Sequence, residues 1–257
     1  LEDIATISAN NDSDLGSKIA EAFHAVGLEG TVAAEASPGA ETSVRFIDGV
    51  EIESGYISQS FLIDQGQTDI SLSKGNILLC EDELSSVTPC FEVLNKLSDE
   101  SIQLLIIAKD IRQEALATLV ANNKIGRLNC VAVKLPIMGV CGVGGEKEWL
   151  DCLAALCGAN VIGRERGVSL SQMTFEDLGY AERVSVNRFV TKILEGKGDK
   201  DRVEGKMAIY EADLKKLIGG KQLLDTKNRL AFLKNKAAMI TVCLLYTSDA
   251  ADERSSV

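Results

Sequence analysis

The residues of this chain that could do chemistry are a glycine-rich segment, seven cysteines and a single histidine. The segment from Gly139 to Gly145 reads GVCGVGG, and backbone N–H groups in such a loop can hold a phosphate. It matches neither G-x-G-x-x-G nor G-x-x-x-x-G-K-[ST], and the Lys147 that follows lies outside the position that the second motif requires. A flexible connection into a helix predicted over residues 149–157 explains the glycines as well. A nucleotide- or phosphate-binding α/β enzyme stays open as the alternative hypothesis.

The cysteines indicate buried free thiols. Their number is odd, and Cys80, Cys130 and Cys157 lie inside apolar runs, which is typical of reduced thiols in a reducing compartment. A metal site needs clustered ligands such as C-x-x-C, which this sequence lacks. His24 follows Phe23 on a predicted helix without a nucleophile or carboxylate arranged around it, so we expect it at the surface. We therefore predict no catalytic residue and no metal ligand.

Composition limits the classes of partner. The net charge of -11 argues against nucleic acid, because neutralising phosphates requires clustered Lys and Arg. No apolar run approaches the roughly 18 residues that cross a bilayer, and no signal-peptide pattern precedes the first predicted helix. We expect a soluble cytoplasmic protein, or one of an organelle matrix if a leader preceded Leu1.

The stretch SIQLLIIAKDIRQEALATLVANNKIGRLNCVAVKLP is the basis of the fold prediction. Residues 104–108 are five consecutive apolar residues, as in a strand that is buried on both faces. Asp110 could cap a helix over residues 111–123, which are rich in good helix formers, and Gly126 would end it. Residues 130–133 then form a second strand. The pattern predicts a strand, a helix and a strand.

The apolar surface of this helix is wider than one packing face. Placing residues at about 100° intervals puts Ile111, Ala115 and Leu119 on one face. Leu116 and Val120 lie well round from it. The second face is either covered by another element, as in a helix sandwiched in a core, or left open. An open apolar groove is a binding site for something apolar.

Other patterns predict the remaining elements. Alternating strands and helices over residues 76–133 indicate a parallel element of an α/β sheet. Tyr56 and Phe61 are expected to be exposed aromatics in a loop. The further predictions are a helix over 15–26, a β-hairpin over 31–52 around a Ser-Pro-Gly turn, a strand over 76–80, a helix over 85–97 with Pro89 in its first turn, a strand at 161–162, a turn-rich segment leading into a strand over 173–187, and a helical hairpin over 202–233 broken at Gly219-Gly220.

Several short motifs follow one another in a fixed order between residues 5 and 187. They are ATISAN at 5–10, DG at 48–49, GYIS at 55–58 followed by Phe61, LLIIA at 104–108, EALATLV at 114–120, VAVK at 131–134, EDLG at 176–179, and the pairs RV at 183–184 and VN at 186–187. No single motif is as specific as a metal-binding signature. In this order and spacing the chain resembles the group I chaperonins, the GroEL family.

The resemblance implies an α/β apical domain, with β-sheets, flanking helices and a swivelling motion, joined to a partial intermediate domain of helix and strand. Residues 1–48 are similar to the ascending part of the intermediate domain, and residues 49–235 to the apical domain. Residues 236–245 would begin the descending intermediate segment. Gly49 is similar to the hinge glycine, since glycine absorbs large backbone rotations most readily. The polar tail at 246–257 is expected to have no structural role.

The resemblance also implies a binding function. In this family a groove between two helices, here 85–97 and 111–123, holds unfolded polypeptides and later a co-chaperonin loop of the GroES type. Leu116 and Val120 are the second apolar face described above, which favours the open groove. The residues at the family's binding positions are Tyr56, Phe61, Phe91, Leu94, Leu116 and Val120, followed by Ala121 and Asn122.

The ATP site and hydrolytic Asp of the family lie in segments that this chain does not match. We therefore expect no cofactor and no ATPase activity in this chain, with ATP and Mg²⁺ bound by the intact family protein, which forms a homo-oligomeric ring. No nucleic acid or membrane partner is expected.

The sequence also departs from the family pattern. Ser60 replaces an aromatic residue, and Ser54 replaces a basic residue whose salt-bridge partner would be Asp12. Asn235-Lys236 stands where the family has Gly-Gly at its return hinge, and the glycine loop is longer than the family's. These departures leave open a diverged chaperonin-like protein that has changed its partners.

Overall fold

The structure is a computed structural model that describes residues 2–26, 31–37, 42–63, 66–136, 145–217, 219–234 and 236–243. Its internal contacts divide the chain into two compact units, one of Leu1–Val50 with Asn235–Val257 and one of Glu51–Lys234. Both units combine helices with strands, so the protein is of the mixed α/β class.

The described elements follow one another in this order: α1 (Glu2–Ser8), α2 (Ser13–Val26), β1 (Thr31–Ser37), β2 (Ser43–Ile52), β3 (Ile70–Leu84), α3 (Phe91–Asp99), β4 (Gln103–Ile111), α4 (Gln113–Lys124), β5 (Asn129–Lys134), α5 (Glu146–Cys157), β6 (Val161–Ile162), β7 (Gly179–Val186), β8 (Thr191–Gly196), α6 (Lys200–Leu214), α7 (Lys221–Lys234) and β9 (Lys236–Cys243). Short 3₁₀ turns occupy Gln59–Phe61, Thr88–Cys90, Arg164–Arg166 and Phe175–Asp177.

The smaller unit is built on a sheet in which β9 lies between β1 and β2. It pairs in parallel with β1 and antiparallel with β2. The predicted hairpin over residues 31–52 is therefore wrong, although both of its strands exist. A strand from far along the chain takes the place between them, and apolar alternation says nothing about which strands pair.

Helix α2 packs on this sheet as its apolar spacing predicts. Ala22 is fully buried against Ala238 and Ile240, and Leu15 and Ile19 pack around them. The start of α2 is fixed by Asp12, whose carboxylate accepts hydrogen bonds from the N–H groups of residues 14 and 15 at 3.0 and 3.1 Å. Helix α1, which precedes it, was not predicted.

The larger unit contains a mixed sheet with strand order β8-β7-β3-β4-β5, and β6 pairs with β3. Strands β3, β4 and β5 run parallel, which confirms the predicted parallel element, whereas β7 and β8 are antiparallel. Residues 104–108 of β4 are at most 1% exposed. Five apolar residues in a row are thus buried on both faces of the sheet, as predicted.

Helices α5, α6 and α7 also match the sequence predictions. The helical hairpin is present, with Gly219 and Gly220 at positive φ between its two helices. Trp149 on α5 packs against Phe232 on α7 with ring centroids 5.7 Å apart. Gly158 ends α5 at a φ of +72°, where a Cβ would lie 2.8 Å from a backbone oxygen, so the position requires glycine.

Three predicted boundaries were wrong in detail. The strand predicted over 76–80 runs over Ile70–Leu84. The helix predicted over 85–97 begins as a 3₁₀ turn containing Pro89 and becomes α3 only at Phe91. The helix predicted over 111–123 begins at Gln113, because Ile111 still belongs to β4.

Asp110 does not cap α4. Its carboxylate accepts a 2.8 Å hydrogen bond from the N–H of Ile111 and pairs with Lys134. Arg112 takes the position before the helix without a side-chain cap. Asp110 therefore stabilises the end of β4 rather than the start of α4.

The predicted chemistry of the thiols is confirmed where the structure describes it. Cys80, Cys90, Cys130, Cys152 and Cys157 are free and buried. His24 is exposed on α2, as expected. Within the described ranges, no helix combines the length and apolarity that crossing a membrane requires.

Candidate binding surface

The topology of the larger unit places two helices beside each other. Helix α3 connects β3 to β4, and α4 connects β4 to β5, with the three strands parallel and adjacent in that order. Crossovers of this kind are right-handed almost without exception. From this rule we infer that α3 and α4 lie on the same face of the sheet.

Helix α4 carries an apolar flank beside its buried face. Ala115 and Leu119 are fully buried beneath the helix. Leu116 and Val120 directly follow these two residues in the sequence and are half-buried. Apolar side chains that remain partly exposed beside a buried helix face are available for contact with another molecule.

Helix α3 presents one large exposed apolar side chain. Phe91 begins the helix and is 57% exposed. Leu94, at the next turn, is only 6% exposed because it packs into the core with Val93 and Leu97. Leu94 therefore supports α3 from beneath and offers little surface of its own.

Tyr56 lies beside β5 and is half-buried. It forms an antiparallel bridge with Val133, and its N–H donates to the carbonyl oxygen of Asn187 at 3.0 Å. The preceding Gly55 is required here, since a Cβ would lie 2.2 Å from the backbone of residues 187–188. The close approach explains why a glycine precedes the aromatic residue.

The expectation of an exposed Phe61 is wrong. Its ring is 1% exposed. The 3₁₀ turn Gln59–Phe61 is capped by Ser58, whose hydroxyl accepts from the N–H of Ser60 at 3.1 Å. The carbonyl oxygen of Phe61 accepts a hydrogen bond from buried Asn123 on α4. Both interactions fix a turn that holds the ring in the core.

The last two predicted positions have different surroundings. Ala121 is exposed on α4. Asn122 is half-buried, and its side-chain amide donates to the carbonyl oxygen of Thr118 at 2.8 Å. The backbone carbonyl oxygen of Asn122 accepts from the N–H groups of Arg127 and Leu128. Asn122 is thus engaged in ending α4. The matched positions that stay exposed or half-buried are called the helix-pair surface below; they are Tyr56, Phe91, Leu116, Val120 and Ala121.

Charged pairs lie at the carboxyl ends of the strands, next to the start of α4. Arg112 pairs with Glu83, and its hydrogen bond holds the pKa of Glu83 below the usual range. Lys134 pairs with Asp110 at 2.5 Å and likewise lowers the pKa of that carboxyl. Two acids are balanced by two bases, so these four groups add no net charge beside the helix-pair surface.

The other residues singled out in the sequence occupy structural positions. Gly49 is buried in β2. The hydroxyl of Ser54 donates to the carbonyl oxygen of Lys134 at 2.7 Å, and Ser60 is exposed. Of the glycine loop, residues 139–144 lie outside the described part of the chain, and Gly145 directly precedes α5. Among the described residues no group of His, Cys, Asp or Glu could hold a metal ion.

A separate cleft was not predicted from the sequence. It has a volume of about 260 Å³ and is lined from several segments of the chain, among them Phe61, Asp69, Ser71, Asn123 and Asn129. Its lining residues lie up to 69 positions apart, between 61 and 130, so no local pattern marks them. The polar Asn123 on the buried face of α4 was the one available signal.

A comparison with protein-family models finds no match to this chain.

Proposed function

We propose that this chain is the polypeptide-binding part of a group I chaperonin-like protein. The observation that carries the proposal is the apolar flank of α4, where Leu116 and Val120 stay partly exposed beside fully buried Ala115 and Leu119. Phe91, on the other helix of the pair, is also exposed. The motif order described in the sequence supports the same family.

Such a surface suits unfolded polypeptides. An unfolded chain exposes the apolar side chains that a folded protein buries. Contact between apolar surfaces contributes about 25 cal/mol per Å² and does not depend on direction or on a particular sequence. A surface of Phe, Leu, Val and Ala therefore binds many unfolded chains and few folded ones. A co-chaperonin loop with apolar residues would compete for it.

The proposal uses a smaller set of contact residues than the resemblance implies. Phe61 and Leu94 are buried, so they anchor the 3₁₀ turn and α3 to the core rather than contact a client. Tyr56, Phe91, Leu116, Val120 and Ala121 would meet the client. Asn122 contributes chiefly by ending α4.

We propose that Gly49 lies near a hinge. Asp48 pairs with Lys236 across β2 and β9, and the division between the units falls after Val50 and after Lys234. The chain thus leaves the smaller unit on two adjacent strands, which suits a two-stranded connection for a swivelling motion. Binding of ATP and Mg²⁺ and formation of a ring by the intact family protein, together with a cytoplasmic or organelle-matrix location, are further parts of the proposal, carried by the resemblance.

Two exposed phenylalanines provide a matched test. Phe91 is 57% exposed on α3, and Phe189 is 71% exposed in the turn between β7 and β8. We expect Phe91→Ser to weaken binding of a fluorescent, reduced and alkylated unfolded protein roughly five- to tenfold, because an aromatic contact is lost. Phe189→Ser should bind like the wild type. Equal effects of the two substitutions in an anisotropy titration would argue against the helix-pair surface.

A further inference from the structure

The amino end of β3 projects beyond its neighbour. Strand β3 begins at Ile70, whereas its pairing with β4 begins only at Asn76, which lies opposite Leu104. The first residues of β3 therefore have no residue of β4 opposite them. On its other side the same segment pairs with β7 from Ile70 onward. Among the described strands, the sheet therefore has a notch one strand wide at this edge.

The direction of the backbone in this notch follows from one hydrogen bond. The N–H of Ser73 donates to the side-chain oxygen of Gln103, the first residue of β4, so it points away from β7. In an antiparallel pair, the N–H and C=O groups of residues two apart point to the same side. Ser71 therefore directs its N–H and C=O into the notch, and it lines the cleft.

The size of the cleft limits its ligand. At about 260 Å³ it lies below the roughly 300–1,000 Å³ of pockets for drug-sized molecules. At about 30 Å³ for each water it has room for roughly eight or nine waters. This volume suits one amino-acid side chain with its flanking backbone better than a nucleotide or a large cofactor.

The lining of the cleft indicates which type of side chain it would bind. Ile63, which is 70% exposed, provides an apolar wall for a hydrocarbon stem, whereas Phe61 lines the cleft with its ring buried. Among the described lining residues, Asp69 is the charged one, and its carboxylate is held by the hydroxyl of Thr68 at 2.6 Å. A long stem that ends in a cation is complementary to apolar walls and a carboxylate.

We propose that this cleft binds an extended peptide segment as an added strand on β3, with a lysine or arginine side chain that reaches Asp69. The backbone of Ser71 supplies hydrogen bonds that do not depend on sequence, and the pocket supplies the preference, as in other cases of strand addition. The site is separate from the helix-pair surface, and the proposal does not depend on the function proposed above.

The test uses the full chain and a blocked peptide, Ala-Val-Lys-Val-Ala, beside the same peptide with acetyl-lysine. We expect the lysine peptide to bind more tightly, and Asp69→Asn to weaken its binding roughly two- to fivefold, as for a solvent-exposed ion pair. Asp69→Asn should leave the acetyl-lysine peptide unchanged. Glu204→Gln, which removes an exposed carboxylate from α6, serves as the control and should leave both peptides unchanged. Val120→Glu is measured beside it to report any peptide binding at the helix-pair surface.

A second measurement on the wild type is independent of any variant. Amide hydrogen exchange at Ser71 should slow when the lysine peptide is added. The proposal is overturned if neither peptide binds, if Asp69→Asn does not reduce the preference for lysine, or if Ser71 exchanges at the same rate with and without peptide. Loss of peptide binding in Val120→Glu alone would place the peptide on the helix-pair surface and also overturn it.

Discussion

Asn123 donates a hydrogen bond from Nδ2 to the carbonyl oxygen of Phe61 at 3.2 Å and accepts one at Oδ1 from the N–H of Cys130 at 3.0 Å. The side chain is 4% exposed. It thus satisfies two backbone groups of a buried region, one in the 3₁₀ turn and one in β5. Because such groups are costly when unpaired, Asn123 links α4 to both segments.

Removing this amide should destabilise the larger unit. We expect Asn123→Ala to lower the free energy of unfolding by about 1–3 kcal/mol, because two backbone groups lose their buried partner. Asn122→Ala is the matched control. It removes a hydrogen bond on the helix surface and should change the free energy by less than about 0.5 kcal/mol. Urea unfolding measures both, and equal losses would contradict the role of Asn123.

Phe61 and Phe91 should differ sharply when truncated. Phe61 is 1% exposed and Phe91 is 57% exposed. We expect Phe61→Ala to lower the free energy of unfolding by about 3–5 kcal/mol, as for a buried aromatic. Phe91→Ala should stay within about 0.5 kcal/mol of the wild type. Similar costs in urea unfolding would show that the assigned burial of one ring is wrong.

The buried thiols make stability depend on alkaline pH. Burial raises the pKa of Cys130 and of Cys157 to about 12, from about 8.5 in an unfolded chain. Between these values the folded state binds more protons than the unfolded state, so the free energy of unfolding falls as the pH rises. Their stabilising contribution is complete below about pH 8.5 and is lost towards pH 12.

A cysteine variant isolates this effect from other groups that titrate in the same range. We expect Cys157→Ala to show a shallower decline of the free energy of unfolding above about pH 8.5 than the wild type. Urea unfolding at a series of pH values measures the slope. An identical slope in both proteins would mean that the thiol ionises as readily in the folded state.

Short-range patterns were enough to predict most of the elements. The apolar run at 104–108 predicted a strand buried on both faces, since five apolar residues in succession fit no half-exposed strand. Helical spacing located α2, α5 and the α6–α7 hairpin. Gly126 after α4, and Gly219 and Gly220 between α6 and α7, have positive φ, and the sequence predicted a helix end at these glycines because they lack a Cβ.

Features that depend on distant segments could not be predicted. β9 separates β1 from β2, and no local pattern encodes the partner of a strand. Phe61 is buried because Asn123, 62 residues away, fixes its turn. For the same reason the sequence predicted the apolar flank of α4 but not which of the matched positions stay exposed.

Two variants of α4 test whether its apolar flank binds unfolded polypeptide. Val120→Glu and Thr118→Glu each add one carboxylate to α4, two residues apart, at a half-buried and an exposed position. The measurement is a titration of a fluorescent unfolded protein against both variants, after urea unfolding has verified that each is folded. We predict that Val120→Glu weakens binding at least tenfold, because a carboxylate would be buried without a partner, whereas Thr118→Glu binds like the wild type. Equal binding by the two variants would contradict the proposed function.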